Sequence, residues 1–209
     1  MLNASPIVFV VDDDISVRES LESLLDSAGW QSETFPSARE FLGRPRVVGP
    51  SCLVLDMNLP DLDGLELQKR VAPDRVDMPI IFISGIGDVP TTVRAMKAGA
   101  LEFLTKPLAS DVLVVAIEQA IQRSRTTLDR QEAVRELREC HASLSQRERQ
   151  VMMLVVSGLL NKQVGGELGI SEITVKHHRG QMMRKMKADS LPELVTMAVR
   201  LGLPSAPRH

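Results

Sequence analysis

Short, unbroken apolar runs recur through the first half of the chain. Each is followed by a stretch in which apolar residues return every three or four positions. IVFVV (7–11) is the first run, and Val17, Leu21, Leu24, Leu25 and Ala28 then fall at helical spacing. Ser16 and Glu19, three apart, match a capping box at the start of that helix, and Gly29 supplies its stop. The alternation continues with a weaker strand at Gln31–Phe35, a short helix at Ser37–Leu42, the loop GRPRVVGPS and the strand CLVL (52–55). Helix 64–71, strand PIIFIS (79–84), helix 89–98, strand LEFLT (101–105) and a helix from Ser110 complete it. Buried strands that alternate with amphipathic helices predict a doubly wound α/β domain, a five-stranded parallel sheet covered on both faces.

The pattern then changes. Between Ser110 and Ala142 there is neither Gly nor Pro, and beyond Ile121 the apolar positions thin out among mixed charges. This predicts that the last helix of the first domain runs on as a helical linker. A helix polar nearly all round suits a bridge or a self-associating surface. Residues 143–203 read as four short helices with tight, Gly-containing turns: QRERQVMMLVVSG, NKQVGGELG, ISEITVKHHRGQMMRKM and SLPELVTMAVRLG. That is the pattern of a helix-turn-helix module. The expected division is a first domain over 1–122, a linker over 123–142 and a second, all-α domain over 143–209.

Charge sharpens the division. The 209 residues carry a net charge of −2, but residues 143–209 hold 10 Lys and Arg against 5 Asp and Glu, so the front is acidic and the back basic. A basic all-helical module points to nucleic acid as its partner. No apolar run approaches the roughly 18 residues needed to span a bilayer. The start, MLNASPIVFVVDDD, lacks a basic leader, so a cytoplasmic protein with no membrane partner is expected. Cys52 and Cys140 belong to no metal-spaced cluster and are expected as reduced thiols.

Candidate chemistry lies where such a sheet places it, at the carboxyl ends of the strands. These ends carry Asp12-Asp13-Asp14, Asp56, Ser84 and Lys106-Pro107. Singly, each has a plain reading: an aspartate after a strand caps a helix, Ser84 before Gly85 turns the chain, and Lys106 is solvated. Together they are a phosphoryl-transfer set. Clustered carboxylates call for a hard cation such as Mg²⁺, and an ammonium and a hydroxyl meet the charge on a transferring phosphoryl group.

VVDDD, LVLDMNLPDLDG, FISGIGD and FLTKP resemble the receiver domain of two-component response regulators, and DVPTTVRAMKAGALEFLTKP is similar to the FixJ type. The resemblance covers about residues 5–125 and implies a flavodoxin-like sheet. It implies Asp56 as phosphoacceptor, Mg²⁺ bound by Asp12, Asp13, Asp56 and the backbone carbonyl of Asn58, and Lys106 and Ser84 as partners of the phosphoryl group. It further implies a cis Lys106–Pro107 peptide, and a switch formed by Ser84 and Phe103, with plain core as the alternative reading of Phe103. Asp12-Asp13-Asp14-Ile15-Ser16 also spells the DxDxS of haloacid-dehalogenase-type phosphatases, but no acidic pair follows the lysine strand as that chemistry requires.

LSQRE, Gly158, Asn161-Lys162, ELGIS and TVKHH resemble the LuxR-type helix-turn-helix of the FixJ and NarL group. With Ser171 as N-cap, the helix turns Val175, Met182 and Met186 to one side and Lys176, His177, Gly180 and Arg184 to the other. Lys176 and His177 are the candidate base readers, and Gly180 would let the backbone approach. Lys162, Thr174, His178 and Arg179 are candidate phosphate contacts. Gly165-Gly166 stands inside a helix where the resembling family usually carries Ala, so that helix is expected to be weak on its own. The two resemblances together imply a transcription regulator rather than an enzyme. A sensor histidine kinase would phosphorylate it, and it would then form a homodimer on promoter DNA, with RNA polymerase as a further partner. The alternative is a DNA-binding regulator whose receiver is inert.

Overall fold

The computed structural model describes residues 5–46, 48–72, 75–85 and 87–204. The first four residues, Val47 in the expected loop, Pro73 and Asp74, Ile86 in FISGIGD and the last five residues lie outside this description. The chain divides into two compact units between Asp129 and Arg130, within the stretch expected as a linker.

The first unit alternates strictly. Strands β1 (Ile7–Val11), β2 (Gln31–Phe35), β3 (Ser51–Asp56), β4 (Ile80–Ser84) and β5 (Glu102–Thr105) are followed in turn by α1 (Ile15–Ser27), α2 (Ala38–Gly43), α3 (Gly64–Val71), α4 (Val89–Lys97) and α5 (Ser110–Ala142). The sheet is parallel with order β2-β1-β3-β4-β5. Because side chains alternate across a strand, neighbouring residues enter different cores. Phe9, Val11, Leu53, Leu55, Ile80 and Phe82 pack with Phe41, Leu67 and Ala95 on one face. Val8, Val10, Cys52, Val54, Ile81 and Ile83 pack with Leu21, Leu25, Leu113 and Ile117 on the other. Burial on both faces is why these strands read as continuous apolar runs rather than alternating ones. The Cys52 thiol lies within this packing, and burial pushes its pKa up to about 12.

One start signal is read differently by the chain. Asp14, not Ser16, caps α1: its carboxylate accepts the Ser16 N–H at 2.8 Å. An aspartate that already stands in extended backbone after the strand captures the orphan donors before Ser16 can.

Helix α5 keeps its hold on the sheet past Ile121. The fully buried Ser124 accepts the Ser51 N–H at 3.0 Å and donates to the Asp77 carbonyl, while the Asp77 carboxylate pairs with Arg46. Leu137 and Cys140, near the end of the same helix, pack into the core of the second unit.

The second unit adds α6 (Gln146–Val156), α7 (Asn161–Leu168), α8 (Glu172–Met186) and α9 (Leu191–Arg200) around Val151, Met152, Val164, Val175, Met182 and Leu194. Serines 145, 171 and 190 cap α6, α8 and α9. Glu148 closes a capping box with Ser145 and is buried against Lys185 of α8, carboxylate to ammonium 2.7 Å. The hydrogen bond from Lys185 holds Glu148 below the usual carboxylate range.

Gly165 has a role that helix propensity alone does not show. Its carbonyl accepts the Ile170 N–H at 3.0 Å, and a Cβ there would lie 2.8 Å from the Ile170 oxygen. The close turn into α8 needs a residue this small. Gly166 faces open space.

Candidate functional site

Register lines up the strand ends. Val11 pairs with Leu55, Asp56 with Ile83 and Ser84 with Thr105, so Asp12, Asp56, Ser84 and Lys106 emerge along one edge of the sheet. Asp12 is fully buried and Asp56 nearly so, whereas Asp13 is exposed. One ligand oxygen from each of the three can be chosen so that all lie within 4.8 Å of one another. The Lys106 ammonium reaches in from β5, 2.7 Å from Asp12 Oδ2 and 3.3 Å from Asp56 Oδ2.

One ammonium does not neutralise this cluster. Burial above all pushes Asp56 above the usual carboxylate range, against the charge of Lys106, and the negative charge of Asp12 adds to the rise. Burial would lower Lys106, but its hydrogen bond to Asp12 and the charges of both carboxylates outweigh it and raise it instead. Crowded hard oxygen donors with charge left over are the donor set that suits Mg²⁺.

The other expected residues stand as follows. The Asn58 N–H leans toward Asp56 Oδ1 at 3.4 Å, which puts residue 58 beside the carboxylate. Ser84 is fully buried, and its carbonyl accepts the Lys106 N–H at 2.8 Å. Phe103 is half-buried on β5, its ring 6.3 Å from that of Phe82. The Lys106–Pro107 peptide is cis. Asp14, the second carboxylate of the phosphatase-like DxD, is engaged as the cap of α1.

Several supporting residues escaped the sequence reading. Arg18 donates to the carbonyls of Asp12 (2.7 Å) and Asp13 (3.0 Å) and so holds the aspartate turn from within α1. Asp63 caps α3, and Gly64 lets that helix begin against β3, since a Cβ would lie 2.8 Å from the Asp56 carbonyl oxygen. Gly87 brings the β4–α4 loop onto β5, where a Cβ would overlap the Thr105 methyl. The Asp-Gly pair in LPDLDG was the available signal for the first of these glycines. Gly87 had none, because its neighbour is 18 residues away.

In the second unit, the helical wheel places the predicted residues as expected for α8. Val175, Met182 and Met186 are buried, while Lys176, His177, Gly180 and Arg184 are exposed. Lys176 lies 3.0 Å from Glu172 one turn back. Lys162 is exposed on α7; Thr174, His178 and Arg179 are half-buried on the flanks of α8. Arg179 donates to Asn161 Oδ1 at 3.0 Å, which ties the start of α7 to α8. Among the described residues no helix is long and apolar enough to cross a membrane.

Residues 8–118 match the family described as "Response regulator receiver domain", and residues 142–198 match "Bacterial regulatory proteins, luxR family". The chain is 49% identical over 197 residues to nodulation protein W of Bradyrhizobium diazoefficiens, covering 94% of this chain and 87% of that one. It is 42% identical over 196 residues to the transcriptional regulatory protein FixJ of the same organism, covering 94% and 96%. The solved response regulator StyR superposes with a TM-score of 0.83 at 48% identity, over 94% of this chain and all (100%) of that one.

Proposed function

The chain belongs to the response regulators, transcription regulators in which a receiver domain is joined to a LuxR-family DNA-binding domain, and we propose that its signal enters as a phosphoryl group on Asp56. The observation that carries this reading is the gathering of the Asp12, Asp13 and Asp56 carboxylates, with the Lys106 ammonium on Asp12 and Asp56, in a chain that also bears a basic helix pair. Asp12, Asp13, Asp56 and the backbone carbonyl of Asn58 would hold Mg²⁺, which when bound draws charge from the phosphoryl oxygens.

An Asp56 oxygen attacks phosphorus as the P–N bond of a kinase phosphohistidine breaks, and an acyl phosphate results. Lys106 turns from the carboxylates to the new phosphoryl oxygens, and the Ser84 hydroxyl donates to another. Moving Ser84 draws on the β4–α4 loop, which already presses on β5 through Gly87. Phe103 shifts with it and remodels the surface of α4 and β5, a local charge event read out at a distance. That surface then pairs two copies of the chain.

Lys176 and His177 of α8 read bases in the major groove, and Lys162, Thr174 and His178 contact phosphates. Arg179 acts on the same backbone while it holds Asn161. Two copies on two half-sites gain by bivalence, with RNA polymerase as the downstream partner.

The test is incubation of the full chain with acetyl phosphate and Mg²⁺. The wild type gains acid-labile phosphate and shifts toward the dimer; Asp56→Asn does neither. Phosphate on the Asn variant would overturn the assignment.

A further inference from the structure

Among the described residues, Ile173 is the most exposed large apolar side chain, at 80%. Its position is not incidental. On α8 it lies almost opposite the buried Val175 and Met182, and Lys176, His177, Gly180 and Arg184 fall within about 60° of it at 100° per residue. Ile173 therefore stands at the centre of the face assigned to the groove, in that helix's first turn, nearest the bases when such a helix docks by its N-terminal end. Its neighbours on that face are cations, an imidazole and a glycine whose Cβ position is empty to 4 Å.

We propose that Ile173 is a specificity-determining residue that packs against the C5-methyl group of a thymine in the major groove; this rests on the reading of α8 as the base-reading helix. The chemistry selects the target. An isoleucine cannot hydrogen-bond to a phosphate or to the polar edge of any base. Of the four bases only thymine presents an apolar group in the major groove. Lys176 and His177 supply donors for neighbouring positions, and Gly180 removes the side chain that would hold the helix away from the groove floor.

The experiment uses the full-length chain treated with acetyl phosphate and Mg²⁺, and selects its preferred duplex from a random pool. Each thymine of that duplex is then replaced by deoxyuridine, which lacks only the methyl group. One replacement per half-site weakens wild-type binding about fourfold, the effect of one buried methyl. Ile173→Ala binds the thymine and deoxyuridine duplexes alike, and its own selection loses the preference for thymine there. The proposal is overturned if no replacement affects the wild type, or if Ile173→Ala keeps the penalty. Lys176→Ala and His177→Ala separate the two levels: they alter base preference at other positions. If neither changes the selected sequence, the underlying reading of α8 fails, and this proposal with it. Ile173 contributes nothing to the buried core, so its variants fold and the comparison stays interpretable.

Discussion

The two units assemble their sites by opposite means. In the first, Asp12, Asp56 and Lys106 come from three strand ends far apart in the chain and meet in a buried cluster with more negative charge than its ammonium offsets. In the second, Lys176, His177 and Ile173 lie within two turns of one helix, exposed to water, and Lys176 meets only the exposed Glu172 one turn back. A buried, converging site stores electrostatic tension that a ligand can release. An exposed site laid along one helix stores none, and its properties can be altered without consequence for the fold.

That contrast can be broken at several points. The largest effect is expected from Lys106→Ala. It leaves Asp12 and Asp56 facing each other without a counter-charge, and should lower stability by about 3 kcal/mol without divalent cation. Urea unfolding of the receiver unit would read this, with Mg²⁺ restoring part of the loss. If stability is unchanged, the cluster is not under tension.

Next comes Lys185→Ala, which leaves the Glu148 carboxylate buried without its ammonium and should destabilise the DNA-binding unit by about 2 kcal/mol. The pH dependence has a definite sign. Glu148 is held below its ordinary pKa in the fold, so its contribution is full above the ordinary glutamate value. It is lost as pH falls through the lower, folded value. Urea midpoints between pH 7 and pH 3 should therefore fall more steeply for the wild type than for Glu148→Gln.

Asp56→Asn should act in the other direction from Lys106→Ala. Removing one of the crowded charges should stabilise the metal-free receiver by about 1 kcal/mol, while it abolishes phosphorylation. A stability equal to that of the wild type would erase the distinction drawn above.

Gly166→Ala, in open space on α7, should stabilise by about 0.5–1 kcal/mol. Gly165→Ala should give no such gain, because the Ile170 carbonyl must move to admit the methyl. Thermal unfolding of the two variants side by side decides this. Smallest of all is Lys176→Gln, with a stability change within about 0.5 kcal/mol, although DNA binding weakens. Parity between this change and that at Lys106 would remove the contrast.

The same contrast decides what could be read before the fold was known. Strands buried on both faces announce themselves as apolar runs, and their ends carried chemistry too pointed to be turn residues, so the receiver cluster was legible despite its dispersal. The Ser16–Glu19 capping box was misread because Asp14, two residues earlier, competes for the same donors. The Glu148–Lys185 pair was invisible because 37 residues separate its partners. Gly165 looked like a weakness, since propensity counts a residue's own helix and not the turn packed against it. Ile173 was passed over for a simpler reason: an apolar residue suggests a core until its exposure is measured.

The two thiols are chemical reporters, one in each unit. Cys52 lies sealed in β3 with its pKa near 12, so an alkylating reagent meets neither thiolate nor access until the sheet opens. Cys140 is only half-buried among the helices of the second unit. Native labelling should therefore mark Cys140 first, and the rate at which Cys52 follows measures how often the receiver opens.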